Sequence, residues 1–204
     1  MNAPKRNPVI KVILLGESGV GKTSLINATI GIEFNSKEEV TFINSYVDKK
    51  YGINNQTFYL QIWDTIGQEK YRQLTKLFFK DAKIVILVYD KSNEQSFNEI
   101  DYWAKEVRSE LGDNIILALV ANKDDLEEKN EDVDENIAEQ YAKKINSKFK
   151  SVSAKLNAKG FEYFLKELLT DYINKYGNEI MKNNGRISLI KETKKKKKNC
   201  SKCK

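Results

Sequence analysis

The sequence predicts an α/β domain: a sheet of about six strands, mostly parallel with one antiparallel edge strand, and about five helices. Three observations carry this expectation. Apolar runs alternate with helical patterns from residue 9 to residue 176. Two runs, Ile84-Val85-Ile86-Leu87-Val88 and Ile115-Ile116-Leu117-Ala118-Leu119-Val120, are continuously apolar, as strands buried on both faces are. Two further strand-like runs are joined by Gly52-Ile53-Asn54-Asn55-Gln56, whose length and composition suit a hairpin.

In chain order, the first strand covers 9–15, with Val9, Ile10, Val12, Ile13, Leu14 and Leu15, and a helix over 21–30 follows a glycine-rich turn. Strands 43–51 and 57–63 form the hairpin and place an antiparallel edge on the sheet. Helices are expected over 69–79, 94–110 and 134–146, interleaved with strands 83–89, 115–121 and 148–153. The final helix, 158–176, is legible from spacing alone. Phe161, Phe164, Leu165, Leu168, Leu169, Tyr172, Ile173 and Tyr176 recur at i, i+3 and i+4, a stripe most simply read as core packing. Beyond Gly177 the pattern fades into polar and then lysine-rich sequence. A folded domain over 8–178 and a lysine-rich tail over 179–204 are the expected organisation.

Composition narrows the function. With 204 residues, 40% hydrophobic and 10% aromatic, the chain suits one globular domain, expected in the cytosol. No apolar run approaches the roughly 20 residues that cross a bilayer. The net charge of +6 is a property of the tail: residues 191–204 hold eight lysines and one glutamate, leaving residues 1–190 at −1. Charge so placed points to an anionic membrane surface, with no nucleic acid expected as partner, although basic tails also bind RNA. There is no histidine. His-based acid/base chemistry is therefore excluded, and what remains is positioning, Mg²⁺ and backbone electrostatics, the requirements of phosphoryl transfer to water.

Gly16-Glu17-Ser18-Gly19-Val20-Gly21-Lys22-Thr23 has the form G-x-x-x-x-G-K-[ST] between a strand and a helix. Backbone N–H groups of such a loop converge on phosphate oxygens, and the helix N-terminus adds partial positive charge. Ser18, Gly19, Val20, Gly21, Lys22, Thr23 and Ser24 are the expected phosphate contacts. Lys22 supplies a point charge to the terminal phosphates, and Thr23 a hydroxyl for Mg²⁺. Asp64-Thr65-Ile66-Gly67-Gln68 follows another strand. There Asp64 is placed to hold a Mg²⁺ water, Gly67 to bring its N–H against a γ-phosphate, and Gln68 to orient an attacking water.

Asn122-Lys123-Asp124-Asp125 closes the strand 115–121. A carboxylate at Asp125 would accept two hydrogen bonds from guanine N1–H and its N2 amino group, donors that adenine lacks. Ser153-Ala154-Lys155 ends the last strand and offers a backbone N–H to guanine O6. Each stretch alone also reads as an ordinary polar loop. Both lie at strand carboxyl ends, where open α/β sheets bind ligands.

Taken together and in this order, the motifs resemble those of a small GTPase of the Ras superfamily, specifically a Rab, over residues 9–176. The resemblance implies the three-layer P-loop NTPase fold and a switch that binds GTP or GDP with Mg²⁺, hydrolyses GTP slowly without an activating protein, and regulates vesicle traffic. It implies that Thr41, 19 residues after Lys22 and 23 before Asp64, completes the Mg²⁺ site with Thr23 and Asp64 and assists catalysis with Gln68, Lys22 and Gly67. It implies that Phe34 stacks on the guanine, and that Tyr46, Trp63 and Phe78 form an aromatic triad read by effectors. Exchange factors, activating proteins and a prenyl-dependent extraction factor are the further partners implied, on the cytosolic face of intracellular membranes.

The chain also departs from that family. Phe42-Ile43-Asn44-Ser45-Tyr46 stands where Rabs carry Ile-Gly-Val-Asp-Phe, and Ile66 where Ala is usual. A β-branched residue beside Gly67 is expected to slow turnover, with a GTP-binding scaffold of little intrinsic hydrolysis as the alternative reading. Cys200 and Cys203 do not form a C-a-a-X box, yet two cysteines after a lysine run fit anchoring by lipid plus charge, so both are expected lipidation sites.

Overall fold

The computed structural model describes residues 7–35, 45–67, 72–126, 132–157 and 159–177. The elements are β1 (Val9–Leu15), α1 (Lys22–Thr29), β2 (Ser45–Ile53), β3 (Gln56–Asp64), α2 (Arg72–Lys76), β4 (Ile84–Asp90), α3 (Glu94–Asn98), α4 (Ile100–Leu111), β5 (Ile116–Asn122), α5 (Glu135–Lys144) and β6 (Lys148–Ser151). A final helix, α6, covers 159–177. The sheet runs β2-β3-β1-β4-β5-β6. Among the described residues the β2–β3 pair is antiparallel, and β1–β3, β1–β4, β4–β5 and β5–β6 are parallel.

The period of two along each strand divides the core into two layers. On one face lie Val12 and Leu14 of β1 and Ile84, Ile86 and Val88 of β4, under Leu25 and Ile26 of α1 and the stripe Phe161, Leu165, Leu168 and Leu169 of α6. On the other lie Ile13, Leu15, Val85, Leu87 and Tyr89, under Ile100, Trp103 and Val107 of α4 and Ala138 and Ala142 of α5. Every residue of β4 is buried, as its unbroken apolar run requires.

Two expectations from sequence are corrected in detail. The helix expected over 94–110 is divided at Glu99, at ψ −13°, into α3 and α4, although the Glu99 N–H still donates to the Gln95 carbonyl and its own carbonyl accepts from the Trp103 N–H. The side chain of Asn93 caps α3 by accepting from the Ser96 N–H, and the Glu99 carboxylate is engaged by Arg72. The hairpin also turns more tightly than its five-residue linker suggested. Gly52 and Ile53 stay in β2 and Gln56 joins β3, leaving Asn54 and Asn55 at φ 50° and 61°. Those values belong to a type I′ turn, which asparagine tolerates and which matches the twist of paired strands. The helix expected over 69–79 is described only from Arg72 and ends at Lys76, where the chain passes into turns, and β6 ends at Ser151, two residues earlier than expected.

The apolar stripe of α6 packs into the core, so truncation there removes core contacts. Leu165 lies on this stripe and is fully buried. Leu165→Ala is expected to lower unfolding free energy by about 2–5 kcal/mol. Urea titration at one fixed nucleotide concentration measures it, since ligand binding itself shifts the midpoint. A loss under about 1 kcal/mol would show that α6 is not needed to close this core layer.

Candidate nucleotide-binding site

The parallel strands β1, β3, β5 and β6 send their following loops out at the same carboxyl edge of the sheet. Those loops surround a cleft of about 500 Å³, in the size range of nucleotide and cofactor sites. Ser18, Gly19, Gly21, Lys22, Thr23, Ser24, Phe34, Gly67, Asn122, Lys123, Asp125, Ala154 and Lys155 line it. Of the residues expected there from sequence, Val20 and Ser153 sit behind the lining, with buried side chains. Thr41 and Gln68 lie outside the described residues, as do Cys200 and Cys203.

The phosphate loop bends around its own lysine. Lys22, 6% exposed, donates from Nζ to the carbonyls of Gly16 and Glu17 at 2.9 and 2.8 Å. Burial pushes its pKa down to about 8, with Asp64 and Glu17 pulling the other way. The ammonium is thus aimed into the loop without bulk water, where an arriving phosphate would meet it at close range. Gly21 stands at φ 91°, and a Cβ there would fall 2.3 Å from the Asn122 amide nitrogen. Gly67 approaches from β3: a Cβ there would sit 2.5 Å from Lys22 Nζ and 2.7 Å from the Glu17 carbonyl. A side chain at 67 would fill the space between the lysine and the loop. α1 begins at Lys22, so its N-terminus faces the same place.

Beside the lysine, Thr23 donates from Oγ1 to Asp64 Oδ2 at 2.6 Å, and Asp64 is buried. A hydroxyl and a carboxylate oxygen so close form part of a hard-oxygen shell that fits a small divalent cation, to be completed by phosphate oxygens and water. Thr65 donates to the Leu14 carbonyl and so ties the end of β3 back to β1. Ile66, the departure noted in sequence, is buried, and its carbonyl accepts from Thr75 of α2 at 3.2 Å.

Against the phosphate loop the Asn122 amide, 1% exposed, joins three segments. Its Nδ2 donates to the Val20 carbonyl at 2.8 Å, and its Oδ1 accepts from the Ala154 N–H at 3.2 Å. Lys123 adopts φ 67°, with its ammonium bound to Asp90 Oδ2. Asp125 keeps its side chain only 9% exposed: Oδ1 accepts from Ser153 Oγ at 2.6 Å, and Lys155 Nζ lies 3.6 Å from Oδ2. Ser153 Oγ in turn accepts from the N–H groups of Lys155 and Leu156. A hydrogen-bonded loop therefore holds one carboxylate at the cleft wall, with Phe34 exposed beside it. Asn35, Thr65 and Leu126 also line the cleft, although residue type alone did not single them out. Each is a chain neighbour of a motif residue, and that adjacency was the available signal.

Away from the cleft, Tyr46, Trp63 and Phe78 form a continuous aromatic row, with ring centroids 4.8 and 5.5 Å apart. Tyr46 is half-exposed at the sheet edge, and Lys11 stacks over Trp63.

Comparison with known proteins agrees with this geometry. The Ras family model matches residues 11–174. Ras-related protein Rab-21 of Mus musculus is 42% identical over 158 residues, which cover 78% of this chain and 70% of that protein. The Bos taurus protein of the same name is 42% identical over 166 residues, 81% and 74% of the two chains. The Geodia cydonium protein of that name is 41% identical over 155 residues, 76% and 67% of the two chains. A phosphate loop, a paired Thr–Asp oxygen site and a caged carboxylate on this sheet, with these relatives across most of the chain, place it in the Ras family as a Rab-type small GTPase, a GTP-hydrolysing switch of membrane traffic.

Proposed function

We propose that the cleft holds GTP or GDP with Mg²⁺, the base at Asp125 and the phosphates at Lys22. The observation that carries this reading is the Asp125 carboxylate, screened from water and oriented by Ser153 in the wall of the same cleft that Lys22 lines. Such a group favours a base with two adjacent N–H donors and rejects one without them. Ala154 and Lys155 face the base, and Phe34 covers its plane. Lys22 neutralises phosphate charge, and Thr23, Asp64 and Thr41 hold the metal. When bound, Mg²⁺ supplies positive charge to the β- and γ-phosphate oxygens. Gln68 orients the attacking water, and the Gly67 N–H approaches the γ-phosphate.

The arginines among the described residues are both engaged elsewhere. Arg72 pairs with Glu17 and Glu99 at 2.7 and 2.9 Å, and Arg108 with Asp113 at 2.8 Å. Fast hydrolysis then relies on an arginine from an activating protein, an effect of about 10³–10⁵-fold. Membership of a family of GTP hydrolases counts against the nucleotide-locked scaffold. Exchange factors act on the nucleotide site, and effectors read Tyr46, Trp63 and Phe78. In this reading 8–178 is the nucleotide-binding domain, and 179–204 anchors it to the cytosolic face of an intracellular membrane. Lipid on Cys200 and Cys203 combines with lysines worth about 1 kcal/mol each near an anionic surface. An extraction factor that binds the lipid would return the protein to the cytosol.

Three outcomes test this. Competition between GDP and ADP should show a strong guanine preference that Asp125→Ala lowers by about 10²-fold or more. Equal uptake of ADP by the unaltered protein would end the reading. The pH dependence of affinity has a definite sign. A phosphate beside Lys22 favours the ammonium, so binding takes up a proton once the free protein has lost it. GDP affinity should therefore hold steady below pH 8 and fall above it, towards one decade per pH unit. A profile flat from pH 7 to 9 would contradict the charged-lysine role. Finally, Cys200→Ser with Cys203→Ser should move the protein from the membrane pellet to the supernatant of a cell extract, and unchanged pelleting would rule out the lipid anchor.

A further inference from the structure

We propose that Lys91 is a positioning residue for guanine recognition: its buried ammonium, paired with Asp124, fixes the turn that carries Asp125. The inference rests on the guanine reading above and adds a residue that does not line the cleft. Lys91 follows directly on β4 and is 3% exposed. A lysine so buried must be paired, because removing an ammonium from water is costly unless a counter-charge and hydrogen bonds replace the lost hydration. Its Nζ donates to Asp124 Oδ1 at 2.8 Å, with Glu135 Oε2 at 3.8 Å.

The backbone of the same residue is also engaged. The Lys91 N–H donates to the Asn122 carbonyl at 3.1 Å, and its own carbonyl accepts from the N–H groups of Asp132 and Val133 at 2.9 and 3.2 Å. Asp124 receives a second hydrogen bond from Ser151 Oγ at 2.8 Å, and its N–H donates to the Val152 carbonyl at 3.1 Å. One buried lysine thus links the end of β4 to the loop after β5, and through Asp124 to the end of β6.

The neighbouring pair makes the purpose legible. Asp90 binds Lys123 while Lys91 binds Asp124, so two ion pairs of opposite sense join residues 90–91 to residues 123–124. Between them Lys123 sits at φ 67°, a left-handed conformation that a non-glycine residue keeps only when its surroundings over-determine it. One pair grips Lys123 itself and the other grips the next residue, so the turn is clamped on both sides just before Asp125.

Charge points the same way. Asp124 and Asp125 are consecutive carboxylates, and a second free negative charge beside the base site would compete for its N–H donors. Lys91 neutralises the first and leaves the second to face the cleft. Burial opposes ionisation of Asp124, but the hydrogen bonds from Lys91 and Ser151 and the charge of Lys91 outweigh it and hold the carboxyl below its ordinary range.

The test compares GDP with inosine diphosphate, which lacks the N2 amino group, in the full-length protein and in Lys91→Met, Asp124→Asn and the double variant. The ratio of the two dissociation constants reports how well Asp125 meets both donors. Each single variant is expected to lower that ratio about three- to ten-fold, and the double variant no further than the worse single, because the two residues act as one pair. A purely structural role would weaken both nucleotides alike, so an unchanged ratio in the singles, or losses that add in the double, would overturn the proposal. Should Lys91→Met fail to fold, Asp124→Asn decides the matter alone, since that side chain is 42% exposed. Failure of the unaltered protein to prefer GDP over ADP would instead overturn the guanine reading, which keeps the two failures distinct.

Discussion

One buried amide holds this site together. Asn122 donates to the phosphate loop through Val20 and accepts from the loop after β6 through Ala154, while its own backbone ends β5. Three segments that are far apart in sequence therefore share one rigid group. A side-chain amide can do this because it carries a donor and an acceptor on one plane, and burial makes both bonds costly to lose. Gly21 packs so closely on the Asn122 nitrogen that a Cβ would reach 2.3 Å from it. The contact between the glycine-rich loop and the end of β5 is thus set by the absence of a side chain on one side and by an amide on the other.

Around that staple the charges are arranged in pairs. Lys22 is cradled by carbonyls, Lys123 is bound by Asp90, Lys91 by Asp124, and Arg72 by Glu17 and Glu99. The chain has no histidine, so none of these groups is poised near neutrality as a proton shuttle by its ordinary pKa. The site is built to orient and to neutralise, which is what phosphoryl transfer to water asks of a protein. Burial has stripped water from Lys22 and pushes its ammonium towards deprotonation, a cost that a neighbouring anion would offset.

The sheet makes this arrangement possible. Parallel pairing of five strands brings the loops after β1, β3, β5 and β6 to one edge, and the two apolar faces require helices to cover them. The antiparallel β2 lies outside this logic. It carries Tyr46 to the sheet edge, where that ring stacks on Trp63, which in turn meets Phe78 beyond α2. The nucleotide cleft and the aromatic row are therefore joined through β3, whose last residue is Asp64 and whose penultimate residue is Trp63.

Much of this was legible in the chain alone, because the signals were local. The period of side chains identified the strands and the stripe of α6, and the glycine-lysine turn marked the phosphate loop, since such features depend on residues a few positions apart. Asp125 was singled out for the same reason, as chemistry tied to a short motif. Tertiary structure decided what depends on residues distant in sequence. Lys91 reads as an ordinary surface lysine until β4 and β5 pair in parallel register and bring Asp124 to its ammonium. Nothing in its own stretch of sequence shows that the Ser153 hydroxyl donates to Asp125, 28 residues away. The break at Glu99 likewise follows no local rule, and there the Arg72 side chain, 27 residues away, engages the carboxylate. Local periodicity and motif chemistry were sequence properties; pairing across the sheet edge was not, because ion pairs and shared amides are set by strand register rather than by neighbours in the chain.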